Sequence, residues 1–155
     1  MKILSIFITL IALSVIFASG LIAQSGGTSW YKEIQLPSWA PTPEMINKIW
    51  VLIILSTFAS AIIVWSKSHH NKKLWQVMTG FIITAILNIF WGYLFSNQQL
   101  LEIALIEAGM LNLTIVSLVF LIWSVSKIAA ILLLPYAGWA IFIGYSAYNL
   151  WLVNH

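Results

Sequence analysis

Apolar residues in this chain of 155 come in long uninterrupted blocks, not in the alternation of a half-buried strand or the single stripe of a soluble helix. Five blocks stand out, at about 3–23, 45–65, 74–95, 100–123 and 128–153, each close to or above the ~20 residues that a helix needs to cross a bilayer. Polar separators lie between them: Gln24 to Thr28 with two glycines, the basic run Ser66 to Lys73, and Ser96 to Gln99. The pattern predicts an all-α integral membrane protein, a bundle of five transmembrane helices forming one domain over residues 1–155. The first block follows Lys2 and ends near Ala18-Ser19-Gly20, which resembles a cleavage site. Its apolar stretch is longer than the ~7–15 residues of a signal-peptide core, so it reads as a retained span.

The longest connection, about 24–44, has a different character. Pro37, Pro41 and Pro43 remove backbone donors and restrict their neighbours, so this stretch cannot be a regular helix. It reads as a lid over the mouth of the bundle, with the span from Met45 forming one wall of a pocket below. Pro135 falls inside the fifth span, where the lost amide leaves the Ile131 carbonyl without its helical donor and predicts a kink.

Composition agrees: 61% of residues are hydrophobic and 7% charged, which excludes an ordinary soluble globule. The net charge of +3 comes from seven lysines against four glutamates. With five spans, Lys2, Lys67, Lys72, Lys73 and Lys127 fall on one side and Lys32 and Lys48 on the other. That bias predicts a cytoplasmic amino terminus, with the lid and carboxyl terminus on the opposite side. The lysines thus read as topology signals toward a lipid bilayer, and no nucleic-acid partner is expected. The chain has no cysteine, and His69, His70 and His155 lack the helical spacing of a metal pair, so no metal site is expected. Phosphate loops, nucleophile elbows and carboxylate–histidine sets are missing too, which leaves conventional acid–base enzymology without machinery.

Nine tryptophans remain to be placed. Trp65, Trp75, Trp123 and Trp151 fall at span ends, as in an interfacial aromatic belt. Trp50, Trp91 and Trp139 lie inside their spans, in the half of the membrane under the lid. Three such rings are compatible with plain packing or with a slot for a planar apolar ligand, where stacking scales with ring area. Asn88 is three residues from Trp91 and shares its face; an amide in hydrocarbon needs a partner on another helix or on a ligand. Asn112 poses the same question in the fourth span. Glu107, about two turns inside that span, is the one ionisable group clearly below an interface, and is either a structural carboxyl or a ligand or proton contact.

Four segments in order resemble the TspO/MBR family of tryptophan-rich sensory proteins, whose animal members are translocator proteins or peripheral-type benzodiazepine receptors. They are Trp30-Tyr31 with Leu36-Pro37-Ser38-Trp39-Ala40-Pro41, Trp50 with Val64-Trp65, Leu87-Asn88 with Trp91, and Ser126 to Ala130 with Leu134-Pro135-Tyr136-Ala137-Gly138-Trp139. The resemblance implies a five-helix bundle, often a homodimer, that binds porphyrins and related tetrapyrroles, sterols in some members, and benzodiazepine-type ligands under the first loop. It implies that Tyr31, Pro41, Trp50, Ile54, Asn88, Trp91, Tyr136 and Trp139 line or close the pocket. Porphyrin is then the expected ligand, and no cofactor is required. It also implies one alternative to a sensor or carrier, light- and oxygen-dependent porphyrin breakdown using Trp50 and Trp139; a second alternative, proton-coupled export of small amphipaths, comes from Glu107 inside its span. The chain departs from the family pattern at Leu36, where a lysine is usual, at Thr42 inside the Pro-Pro pair, at Ile54 in place of a tyrosine, and at Ala147 in place of an asparagine.

Overall fold

In the computed structural model the described residues are 36–67 and 72–154. They form four long helices: α1 (Pro43–Lys67), α2 (Lys72–Gly92), α3 (Leu101–Trp123) and α4 (Lys127–Asn154). A five-residue π-helix, Tyr93–Asn97, extends α2. All four are long and apolar enough to cross a membrane, and no strand occurs among the described residues. The expected spans at 45–65, 74–95, 100–123 and 128–153 thus match helices to within a few residues, whereas the block at 3–23 and the first part of the lid lie outside the described residues.

Local chemistry sets the ends. Pro43 occupies the first turn of α1, where its missing amide costs nothing, and the Thr42 Oγ1 accepts from the Met45 amide at 3.3 Å. A turn closed by the Ala40 amide on the Pro37 carbonyl (2.9 Å) precedes it. Gln99, with φ of 57°, reverses the chain between the π-helix and α3. Ser126 starts α4: its Oγ accepts from the Ala129 amide at 3.4 Å, and the turn after Trp123 is only three residues long. That short turn makes α3 and α4 an antiparallel pair. Helix α4 runs through Pro135 without a break.

In space the helices are ordered α1, α4, α3, α2, with α4 between α1 and α3. The sorting of side chains explains the packing. On α4, Ala129, Ala130, Ala137, Ala140 and Ala147 are buried while Ile128, Ile131, Leu134 and Ile141 are exposed. Lipid is as apolar as leucine, so large residues gain nothing by turning inward, and small ones let backbones approach. Gly80 shows the closeness: a Cβ there would lie 2.7 Å from the Leu118 Cδ1 on α3. Polar side chains then clamp the pairs. The Ser60 Oγ donates to the Ala129 carbonyl (2.8 Å), joining α1 to α4. The Asn112 Nδ2 donates to the Ala108 carbonyl in its own helix (2.8 Å) and to the Ala140 carbonyl of α4 (2.9 Å). The question that the sequence raised about Asn112 has a structural answer.

Candidate functional site

Three of the expected site residues meet directly, from three helices. Trp50 of α1 is buried, and its ring meets Tyr136 of α4 edge-on, with centroids 6.3 Å apart and planes at 60°. Tyr136 is buried in turn, and its hydroxyl accepts from the Asn88 Nδ2 of α2 at 2.6 Å. Tyrosine suits this position because its ring is apolar and long enough to carry the hydroxyl across to a neighbouring helix. The Asn88 amide is thereby provided for, as hydrocarbon surroundings demand.

The next turn toward the loop brings the other indoles. Trp91 follows Asn88, and Trp139 follows Tyr136, each by three residues. The ring contacts of these tryptophans are not to one another: Trp139 stacks on Phe142 (5.1 Å, 22°) and Trp91 on Phe95 (4.8 Å, 13°). Phe142 also meets Trp39 of the loop edge-on at 5.9 Å, and Trp39 lies 5.3 Å from Tyr145. The turn at Pro37–Ala40 therefore holds an indole against the outer half of α4, so this part of the loop rests on the bundle. Pro41 is half-buried beside it and Ile54 half-buried one turn below Trp50. Tyr31 lies outside the described residues.

Several buried polar atoms have no hydrogen-bond partner among the described residues: the indole N–H groups of Trp91 and Trp139, the Thr57 Oγ1 two turns below Trp50, both carboxyl oxygens of Glu107, the Asn112 Oδ1 and the Ser146 Oγ. Buried polar groups are nearly always paired, so the unpaired indole N–H groups of Trp91 and Trp139, one turn beyond Asn88 and Tyr136, mark an unusual place in the fold.

Of the interfacial tryptophans, Trp75 and Trp123 are exposed at helix ends as expected. Trp65 is partly buried against the core, and Trp151 donates to the Glu102 Oε1 at 3.3 Å while stacking on Tyr148 (6.3 Å). Phe142 and Tyr145 were missed by the sequence reading. A signal was present: aromatic residues recur every third position along α4, at 136, 139, 142, 145, 148 and 151. Steps of three on a 3.6-residue helix drift around the axis, so the row starts in the core at Tyr136 and emerges on the surface at Tyr145 and Tyr148.

The fold and the site together define a class: an integral, multi-pass helical membrane protein whose loop-side half is packed with aromatic rings and unpaired polar groups. Residues 7–152 match the TspO/MBR family, and the chain belongs to it. It is 28% identical to the tryptophan-rich protein TspO of Bacillus cereus over 99% of each chain. It is 24% identical to the human translocator protein over 90% of this chain and 83% of that one. Protein CrtK of Rhodobacter capsulatus is 23% identical over 88% of this chain and 84% of its own.

Proposed function

We propose that this protein is a membrane sensor or carrier for a planar tetrapyrrole, held in the loop-side half of the bundle between α1, α2 and α4. The observation that carries the reading is the pair of buried indole N–H groups of Trp91 and Trp139, unpaired beside the Trp50–Tyr136–Asn88 junction. A tetrapyrrole offers what these groups lack, a broad π face and polar atoms at its edge. Trp39 on Phe142 and Tyr145 gives the site a cover on the loop side. The fold proposed is a five-span bundle in which residues 3–23 supply the remaining helix, the amino terminus is cytoplasmic, and two copies pair as a homodimer.

The test is a protoporphyrin titration of the detergent-purified chain, read by quenching of tryptophan fluorescence. Trp50→Ala and Trp139→Ala should each weaken binding by about ten-fold or more, the loss expected from one buried aromatic contact of ~1.4 kcal/mol. Trp123→Ala, exposed at the far end of α3, should leave it unchanged. Equal weakening by all three variants would refute a discrete site. Because the chain has no cysteine, topology is read from single substitutions. Ser38→Cys should react with an impermeant maleimide in intact cells, and Lys67→Cys only after lysis.

A further inference from the structure

Glu107 makes no hydrogen bond with the aromatic junction among the described residues, yet its carboxyl is close enough to the Tyr136 hydroxyl to act on it electrostatically. It is 3% exposed, and neither carboxyl oxygen has a hydrogen-bond partner among the described residues. Its direction follows from the packing of α2 and α3. These helices touch where Gly80 faces Leu118. Glu107 precedes Leu118 by eleven residues and Trp91 follows Gly80 by eleven. Eleven residues are slightly more than three whole turns, so each returns close to the face of its reference residue about 16 Å nearer the loop. That register sets Glu107 and Trp91 on the sides of α3 and α2 that carry Leu118 and Gly80, both in the loop-side half of the bundle. The first presents an unpaired acceptor pair and the second an unpaired N–H, and they do not bond to each other.

The charges at the ends of the helices point the same way. Glu44 and Lys48 in the first turns of α1, and Glu102 and Glu107 in the first turns of α3, lie toward the loop side, three acids to one base among the described residues. Lys67, Lys72, Lys73 and Lys127 all lie at the other side. Among the described residues the one cation at the loop end is Lys48, which is exposed on α1.

We infer that Glu107 is a specificity-determining contact of the proposed site, receiving an N–H or cationic nitrogen of the ligand. Resting on the tetrapyrrole reading, this narrows the ligand class: planar rings carrying donor or cationic nitrogen are preferred to the same rings carrying carboxylates. The physical reason is that a cationic nitrogen stabilises the charged form of the buried carboxyl and makes a strong charge-assisted hydrogen bond to it, whereas a ligand carboxylate gains no such partner there and loses its water.

The experiment uses two probes on one ring: a porphyrin dicarboxylate, and the same porphyrin with both carboxyls converted to aminoethyl amides. Binding to the purified full-length chain is measured by fluorescence quenching. The diamine is expected to bind about ten-fold or more tightly than the dicarboxylate, the value of one charge-assisted contact. Glu107→Gln, which keeps shape and removes charge, should bring the two within about three-fold, half a decade on the same scale. Glu44→Gln, exposed at the start of α1, should leave the preference intact. Equal or tighter binding of the dicarboxylate by the unaltered protein overturns the inference, as does an undiminished preference in Glu107→Gln. In either case, sensitivity of both probes to Trp50→Ala would leave the tetrapyrrole site standing. Binding of neither probe in a Trp50-dependent way overturns the site and the inference together. A Glu107→Gln protein that is no longer monodisperse in detergent would assign the carboxyl to folding and likewise overturn the inference.

Discussion

Replacing Tyr136 by phenylalanine removes one oxygen from the junction of α1, α2 and α4 and leaves every ring contact in place. The hydroxyl accepts from the Asn88 Nδ2 at 2.6 Å, a short bond, between residues 2% and 4% exposed. Hydrogen bonds between membrane helices average about 0.6 kcal/mol and reach about 1.7 kcal/mol. A short bond with no competing water belongs toward the upper end, so Tyr136→Phe should cost about 1–1.5 kcal/mol, inside the usual range for one hydrogen bond. Part of that cost belongs to Asn88, whose amide loses a partner in a dry place. The measurement that separates the two is a double-mutant cycle of Tyr136→Phe and Asn88→Leu. Stability is followed by circular dichroism during reversible unfolding in mixed micelles titrated with sodium dodecyl sulfate. The coupling should be about 1 kcal/mol. A coupling no larger than the ~0.3–0.5 kcal/mol error seen for independent sites would refute the claim that this bond ties α2 to α4.

Three further outcomes follow from the packing. Gly80→Ala places a Cβ 2.7 Å from the Leu118 Cδ1, and because Leu118 is itself buried, the strain should cost about 1–2 kcal/mol in the same unfolding assay; Gly109→Ala, with nothing within 4 Å of its Cβ, should be neutral or gain up to about 1 kcal/mol of helix propensity. Gly144→Ala sets a Cβ 3.2 Å from the Asn112 Nδ2 and should weaken the clamp to the Ala140 carbonyl, costing about 0.5–1.5 kcal/mol, an effect that Asn112→Leu should abolish in a cycle. Trp39→Ala should raise the rate of proteolysis within residues 36–42 while lowering global stability by no more than the ~0.5–1.5 kcal/mol of an aromatic pair, because this ring fastens a loop and not a helix. Unchanged cleavage would show that the indole does not hold the loop down.

How much was legible beforehand varies from residue to residue. Trp50, Asn88 and Tyr136 could be named from sequence because a buried amide and an internal indole are both out of place in a plain span, and because the motifs around them are those of the family. Phe142 and Tyr145 carried the same kind of signal in the three-residue aromatic row of α4, but one phenylalanine in an apolar helix looks like any other until its neighbour is known. Trp65 reads as an interfacial ring and is partly buried against the core, since a position near a span end fixes depth and not direction. Asn112 and Glu107 are both polar residues within α3. One clamps α4 and the other is buried with no hydrogen-bond partner among the described residues, a distinction that a change of five positions around the helix produces and hydropathy cannot see.

For the described residues, sequence alone determined the four long apolar helices, their approximate lengths and the identity of the unusual residues. Those are local properties: bilayer thickness selects block length, and proline, glycine and serine act on their immediate neighbours. Tertiary structure alone decided that α4 lies between α1 and α3, that Asn88 reaches Tyr136, that Trp39 rests on α4, and that the Glu107 side chain is buried. In lipid the outer and inner faces of a helix are equally apolar, so no amphipathic stripe announces which face turns inward. The rotation of each helix is set by close approach of small residues and by a few interhelical hydrogen bonds, which become visible only when the partners are in place.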